Sequence, residues 1–305
     1  MQALNRTIAT LAALCIIVTA CSSDESGTNT RAGAVETTST ATSVLPTSTS
    51  AAPTTSVAVA STSTIEEPPL PCEIESPSSE FDTTFYAKQC TVLGVAVLSS
   101  ASVADAELYE AAKAITAMLD SRPDLVEAML GAGLRVGIIG KDEVTTDLPE
   151  HSQLDAQFPE VDWDTRTRGV AATTFIPLTS AGEENLLCLD SDVYRGESIF
   201  VHEFAHSVRL LGIATTDPEV NRAIDDAYDD ALAGGLWSNT YAATNSDEYW
   251  AEAVQSYFDT NLSASPPDGV HNNVDTNAEV ADYDPVIYGI IDQVFGDTVW
   301  RYRCP

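Results

Sequence analysis

The chain has 305 residues, long enough for one large or two small domains, and carries a formal net charge of −32 from 46 acidic and 14 basic side chains. Such a surface repels phosphate backbones and anionic lipid headgroups, which argues against a nucleic-acid-binding protein. We interpret the excess acid as a solvated surface, although it could also attract cationic substrates or metal ions. Hydrophobic residues make up 44% of the chain, so a globular core can be buried.

The first 21 residues predict an export signal that ends in a lipid attachment site. Asn5 and Arg6 give a polar, positively charged start, and the apolar stretch IATLAALCIIVTA that follows is too short to span a bilayer. The stretch ends in VTAC at 18–21, which resembles the lipobox of bacterial lipoproteins. The resemblance implies that residues 1–21 form a lipoprotein signal, that Cys21 is lipidated, and that the chain is exported and anchored to the outer face of a bacterial cell membrane. A plain secretory signal with a chance cysteine is the alternative.

Residues 22–70 predict a disordered tether. Ser, Thr, Ala and Pro dominate the segment and no amphipathic period is present, so it cannot bury enough apolar area to fold. A coil of this length would hold a domain on the order of 40 Å from the membrane. The composition changes at its end, and residues 71–305 are predicted to form one folded domain.

The cysteines predict two disulfides in that domain. Once the signal and Cys21 are set aside, an even number remains in an exported chain, which permits three pairings. We favour Cys72–Cys90, which closes a short loop where the domain begins, and Cys188–Cys304, which pins the C-terminus to the core. No CxxC pair occurs, which argues against a separate cysteine zinc site.

The first half of the domain predicts strands and two helices. The apolar run TVLGVAVL (91–98) is typical of a strand, and the periodic segment ADAELYEAAKAITAML (104–119) predicts a helix. A second helix is predicted over 122–130, which has a proline in its first turn and a glycine after its end. LRVGIIG (134–140) predicts a buried strand.

The second half predicts one edge strand and then helices. TRGVAATTFIPL (167–178) is the edge strand, because Pro177 would interrupt a central ladder. Ser246 is predicted to cap the third of the helices that follow. Strands precede helices without persistent βα alternation, so the predicted fold class is α+β, with a small mixed sheet and a mainly helical C-terminal half. The predicted helices cover 198–208, 217–235, 246–258 and 284–297.

The segment SIFVHEFAHSV (198–208) contains two of the chain's four histidines, His202 and His206. Residues i and i+4 lie on one face of a helix, so both imidazoles can reach a single zinc ion at about 2.0–2.1 Å. Glu203 lies beside the metal, where its carboxylate can accept a proton from the attacking water. The pattern therefore predicts one zinc ion per chain with Glu203 as the general base. A chance match on a helix is the alternative.

Catalytic zinc sites use three protein ligands and a water, so a third ligand is required. His151 and His271 are candidates, but neither follows at the spacing of a third-histidine motif, and we interpret each as an ordinary hydrogen-bonding residue. Glu248 and Glu252 share one face of an aromatic-rich helix, where buried acids need a cation or donors. We therefore assign Glu248 to the metal and Glu252 to the orientation of a ligand imidazole.

HEFAH at 202–206 and YAATNSDEYWAEA at 241–253 resemble the glutamate-ligand zincins (gluzincins), and more narrowly the catalytic domain of anthrax lethal factor and its bacterial relatives. In those proteins a tyrosine lies seven residues before the ligand glutamate, as Tyr241 does before Glu248 here. The resemblance implies a zincin-like fold, zinc on the two histidines and Glu248, and Tyr241 donating to the oxyanion. Its specific part covers 194–259, and nothing resembles the toxin's other domains.

Motif and resemblance together predict a zinc-dependent metalloendopeptidase at the outer cell surface that acts on a peptide or protein. The membrane is contacted only through the lipid, and the chain is expected to be a monomer. The edge strand at 169–176 could bind an extended peptide by strand addition. The alternative is a catalytically inactive, zinc-bearing surface lipoprotein that acts as a binding module, although such a module needs no intact Glu203.

Overall fold

The computed structural model describes residues 70–296, 298, 300 and 301. The predicted signal, the lipidation site Cys21, the tether as far as residue 69, and Cys304 lie outside the described residues. In the part of the chain that is described, none of the helices has the length and apolar character needed to cross a membrane.

A six-stranded mixed sheet organises the first half of the domain. Its order is β1-β2-β3-β4-β6-β5, in which β3, β4 and β6 run parallel and both edges are antiparallel. Helices fill the second half, so the predicted α+β class is confirmed. The strands are Ile74–Glu75 (β1), Lys88–Val92 (β2), Val95–Ser99 (β3), Arg135–Ile139 (β4), Gly169–Val170 (β5) and Leu178–Gly182 (β6).

The α-helices occur in both halves of the domain, and those after residue 198 supply most of the buried apolar residues of the second half. They are Asp105–Leu119 (α1), Pro123–Gly131 (α2), Leu154–Gln157 (α3), Trp163–Arg166 (α4), Glu183–Leu186 (α5), Ile199–Ser207 (α6), Ala214–Thr216 (α7), Pro218–Ala233 (α8), Ser246–Tyr257 (α9), Asn277–Tyr283 (α10) and Pro285–Phe295 (α11). A π-helix, Val208–Ile213, continues α6, and a 3₁₀ turn, Tyr241–Ala243, precedes α9.

Helices with a clear start signal agree with the sequence-based prediction. Asp217 and Asp284, each followed by proline, cap α8 and α11 through side-chain oxygens that accept from Val220 N and Ile287 N. The cap predicted for α9 is wrong. Asn245, not Ser246, accepts from the backbone N–H groups of the second and third residues of that helix.

The prediction of one strand over 91–98 is also wrong, because the segment forms a hairpin. Leu93 and Gly94 separate β2 from β3 with φ of 50° and 84°. Two successive positive φ angles are what a two-residue hairpin turn with the right twist requires. Leucine is rarely found at such a position, so the apolar run concealed the turn.

The edge strand is confirmed in place but is shorter than predicted. β5 covers only Gly169–Val170 and pairs with β6, while Pro177 lies just before β6 and outside the ladder. The inner strand Leu178–Gly182 was not predicted, because its sequence LTSAG has few of the large apolar residues that mark a buried strand.

One disulfide joins the segment before β1 to β2, between Cys72 and Cys90, with a Cα–Cα distance of 5.7 Å. This is the pairing that the sequence favours. Cys188 is also disulfide-bonded. Its predicted partner, Cys304, is not among the described residues, so the second pairing stays a prediction.

Candidate metal centre

Helix α6 is held rigidly inside the domain. Its cap is Ser198, whose hydroxyl accepts from Val201 N at 3.2 Å. Phe200 and Phe204 stack one turn apart, with ring centroids 5.5 Å apart, and both are fully buried in the main core. Because the apolar face fixes the rotation of the helix, its opposite face presents His202 and His206 to α9.

The three predicted ligands converge on one point. His202 Nε2 and His206 Nε2 are 3.1 Å apart, and Glu248 Oε2 lies 3.1 Å and 3.2 Å from them. Tetrahedral coordination with bonds of about 2.0–2.1 Å places neighbouring ligand atoms about 3.3 Å apart. The triangle therefore has the size that a zinc ion needs. Among the described His, Cys, Asp and Glu side chains, these three cluster closely enough to hold one metal ion together.

Gln255 shows that the centre requires positive charge. Its Nε2 faces two acceptors, Ser198 O at 3.2 Å and Glu197 Oε2 at 3.5 Å, which fixes the orientation of the amide. Its Oε1 therefore accepts from His202 Nδ1 at 2.8 Å. A neutral His202 then has a lone pair on Nε2, opposite the carboxylate of Glu248. Facing lone pairs in a buried site need a proton or a cation between them, so the donor set fits a divalent ion.

The pKa shifts have the same cause. Burial alone would lower the pKa of His202, but the hydrogen bond to Glu248 and its negative charge raise that pKa to about 10. Burial opposes ionisation of Glu248, yet His206 and His202 hold the pKa of this carboxyl well below its usual range. A cation at the centre would replace the proton that these groups otherwise share.

Glu203 is buried beside the ligands, with 4% of its surface exposed. Burial raises the pKa of this carboxyl, the charges of His202 and His206 lower it, and the charge of Glu248 raises it further. A general base must be close to the reacting water and able to take its proton. The predicted base therefore lies within the electrostatic reach of all three ligands.

Gly169 lets β5 pass close to this carboxylate. A Cβ atom at Gly169 would lie 2.5 Å from Ile199 Cγ2 and 3.1 Å from Glu203 Cγ. Glycine is therefore required for the close packing of the edge strand against the start of α6 and the base.

We expect Gly169→Ala to destabilise the fold by about 1–3 kcal/mol, because the added methyl group overpacks a buried contact. Chemical denaturation measures the effect. The matched control is Gly131→Ala in α2, where no atom lies within 4 Å of the added Cβ. A Gly169→Ala protein as stable as the control would contradict this packing.

Tyr241 lies next to the ligands, although only the resemblance predicted it. Its ring centroid is 6.2 Å from that of His202, and its hydroxyl is buried next to Glu248. Burial and the charge of Glu248 raise the pKa of Tyr241, so its phenol remains protonated and can donate. Its backbone N–H donates to Val270 O at 2.8 Å, which fixes the turn.

Gln255, rather than the predicted Glu252, forms the hydrogen bond with the His202 ring. Glu252 Oε1 is 3.6 Å from His202 Nδ1, beyond hydrogen-bond length, while Gln255 Oε1 is 2.8 Å away. Glu252 instead accepts from Asn261 Nδ2 at 3.1 Å, and burial raises its pKa to about 6. Sequence reasoning missed Gln255. Its position seven residues after Glu248, on the same helix face, was the available signal.

The two other histidines lie outside the ligand cluster. His151 is fully buried, and burial lowers its pKa to about 4. His271 Nε2 lies 3.4 Å from Glu197 Oε2, the same carboxylate oxygen that Gln255 Nε2 faces. Glu248, rather than His151 or His271, therefore places a ligand atom within 3.2 Å of both Nε2 atoms.

Comparison with known proteins leaves the family open. No protein-family model and no curated protein matches the chain. Among solved structures, the chain is similar to a Pro-Pro endopeptidase from Paenibacillus alvei, with 14% sequence identity and a TM-score of 0.43, over 66% of this chain and 96% of that chain. Fold and site together define an α+β domain with a buried His-His-Glu centre suited to a divalent cation.

Proposed function

We propose that this chain is a zinc metalloendopeptidase of the glutamate-ligand type. The observation that carries the proposal is the convergence of His202 Nε2, His206 Nε2 and Glu248 Oε2 within 3.1–3.2 Å of one another. The buried carboxylate of Glu203 follows the first ligand on the same helix. This donor set, with a base beside it, is what metal-assisted hydrolysis of an amide requires.

The residues divide the chemistry of peptide hydrolysis among them. Zinc bound at this centre would supply Lewis acidity toward water and the substrate carbonyl. Glu203 takes a proton from the water while the water oxygen attacks the carbonyl carbon. It returns that proton to the leaving amine when the C–N bond breaks. Tyr241 donates its phenol proton in a hydrogen bond to the oxygen that becomes negative. The short edge β5 offers backbone groups to an extended peptide.

The proposed location is the outer face of a bacterial cell membrane. It rests on the lipobox resemblance at Cys21 and on the composition of the tether, both of which are sequence arguments. A membrane contact through the lipid alone would leave the domain free to meet peptides or proteins outside the cell.

Metal removal tests the proposed activity. The zinc-loaded chain is expected to cleave casein or a mixed peptide library, to lose that activity on treatment with a chelator, and to regain it when zinc is added back. Glu203→Gln purified in parallel controls for contaminating proteases. Cleavage that survives chelation would contradict the proposal, and zinc binding without any cleavage would favour the inactive binding module.

A further inference from the structure

The ligands of the candidate centre come from two helices that are separate in sequence. α6 provides His202 and His206, and α9 provides Glu248. The helices run antiparallel, since Gln255 contacts Ser198 at one end while Glu248 contacts His206 toward the other. The geometry of the centre therefore depends on how the two helices are held against each other.

Gln255 joins the C-terminal half of α9 to the start of α6. The side chain is fully buried. Its Oε1 accepts from His202 Nδ1 at 2.8 Å and its Nε2 donates to Ser198 O, the carbonyl of the α6 cap residue, at 3.2 Å. The amide thus fixes both the protonated nitrogen of His202 and the plane of its ring, which keeps the Nε2 lone pair pointing at the centre.

Arg209 joins the other ends of the same two helices. The residue lies in the π-helix that continues α6 and is 5% exposed. Its Nη1 donates to Ser246 O at 2.6 Å and lies 3.1 Å from Asp247 Oδ1; these are the two residues before Glu248. Its Nη2 donates to Asp225 Oδ1 of α8 at 2.6 Å. A single π-helical turn after a ligand helix is a feature often found at functional sites.

From these contacts we propose that Gln255 and Arg209 are positioning residues of the metal centre. Gln255 acts through His202, whereas Arg209 acts through Glu248 by holding the first turn of α9. Neither side chain reaches the ion. The inference rests on the metal centre of the proposed function, but it concerns metal affinity and holds whether or not peptide is the substrate.

The two routes differ in a way that a double-mutant cycle can separate. Removing Glu248 removes the group through which Arg209 acts, so Arg209 should then have no further effect on metal affinity. Removing Glu248 leaves His202 in place, so Gln255 should keep its effect. A side chain that only stabilises the fold would weaken metal binding equally in both backgrounds.

The experiment measures the zinc dissociation constant of the full chain by competition with a chromophoric chelator. Gln255→Leu and Arg209→Met are each made alone and together with Glu248→Ala. Each single variant should bind zinc about 10–100-fold more weakly. In the Glu248→Ala background, Arg209→Met should change the constant by less than about twofold, while Gln255→Leu should again weaken binding about tenfold or more.

Exposed residues provide matched controls, and milder variants cover loss of folding. Gln293→Leu on α11 and Arg222→Met on α8 make the same replacements at exposed positions and should leave the dissociation constant unchanged. Circular dichroism of the metal-free proteins checks that each variant is folded. Gln255→Glu keeps an acceptor opposite His202 Nδ1 and Arg209→Lys keeps the charge, so each should recover part of the affinity lost.

Three results would overturn the inference. Single variants that bind zinc within about twofold of the wild type would do so. The second is an effect of Arg209→Met on the zinc dissociation constant that is as large in the Glu248→Ala background as in the wild type. The third is an effect of Gln255→Leu on that constant that disappears in the Glu248→Ala background. A wild-type chain that binds no zinc would instead overturn the proposed function, and the inference with it. A chain that binds zinc but cleaves nothing would refute only the proposed activity.

Discussion

Replacing Glu203 by glutamine is expected to lower the rate of peptide hydrolysis by ~10²–10⁴ while zinc remains bound. Glutamine has nearly the shape of glutamate, so α6 and the contact with Gly169 should persist. Its neutral amide cannot accept a proton from water, so the base step is lost. The measurement is kcat on one peptide substrate together with the zinc content of the same preparation.

Two comparisons make the Glu203 result interpretable. Glu219→Gln removes an exposed carboxylate from α8 and should retain the wild-type kcat. The free energy of unfolding of Glu203→Gln should equal or exceed that of the wild type, since a buried carboxylate has been neutralised. A Glu203→Gln protein that cleaves at the wild-type rate would refute the assignment of the base.

Replacing Glu248 by alanine is expected to weaken zinc binding by more than about 100-fold, because even the groups that orient metal ligands contribute 10–100-fold. The change leaves two imidazoles with 3.1 Å between their Nε2 atoms and removes the anionic ligand opposite them. Hydrolysis should be lost along with the metal. Chelator competition gives the affinity and a cleavage assay gives the activity.

The control for Glu248→Ala removes a negative charge that does not contact the metal centre. Asp226→Ala removes one negative charge from an exposed position on α8 and should leave zinc affinity within about twofold of the wild type. If Glu248→Ala behaved like Asp226→Ala, the carboxylate would be a bystander and the ion would be held by other groups.

The parts of the site that the sequence predicted are those that depend on spacing within one helix. His202, Glu203 and His206 follow from a fixed pattern on α6, and Glu248 from the need for a third ligand on an aromatic-rich helix. Tyr241 required the resemblance, because a tyrosine in a short turn has no spacing signal of its own.

The residues that sequence reasoning missed depend on contacts between helices. Gln255 and Arg209 are 53 and 37 positions from the residues they contact, His202 and Ser246. The spacing from Glu248 places Gln255 on the ligand face of α9, but neither local sequence specifies which residue the side chain contacts. The π-helical turn that contains Arg209 packs closely against α2, where a Cβ atom at Gly212 would lie 3.2 Å from Leu125 Cδ2.

The fold shows the same division between local and distant causes. α8 and α11 were predictable because an Asp-Pro start supplies both the cap and the preset φ angle. The hairpin at 93–94 and the inner strand β6 were not, since each lacks a strong local propensity and is fixed by its neighbours in the sheet. The short helix α10 was missed as well, although its capping box between Thr276 and Glu279 is a local start signal.

X-ray absorption spectroscopy at the zinc edge, on the zinc-loaded full chain, measures which atoms bind the ion and at what distance. We predict a four-coordinate shell of nitrogen and oxygen at about 2.0–2.1 Å, with the outer-shell scattering of two imidazoles, and one zinc per chain. Sulfur at about 2.3 Å, a shell of oxygen alone, or scattering from a third imidazole would show that His202, His206 and Glu248 do not bind the same ion.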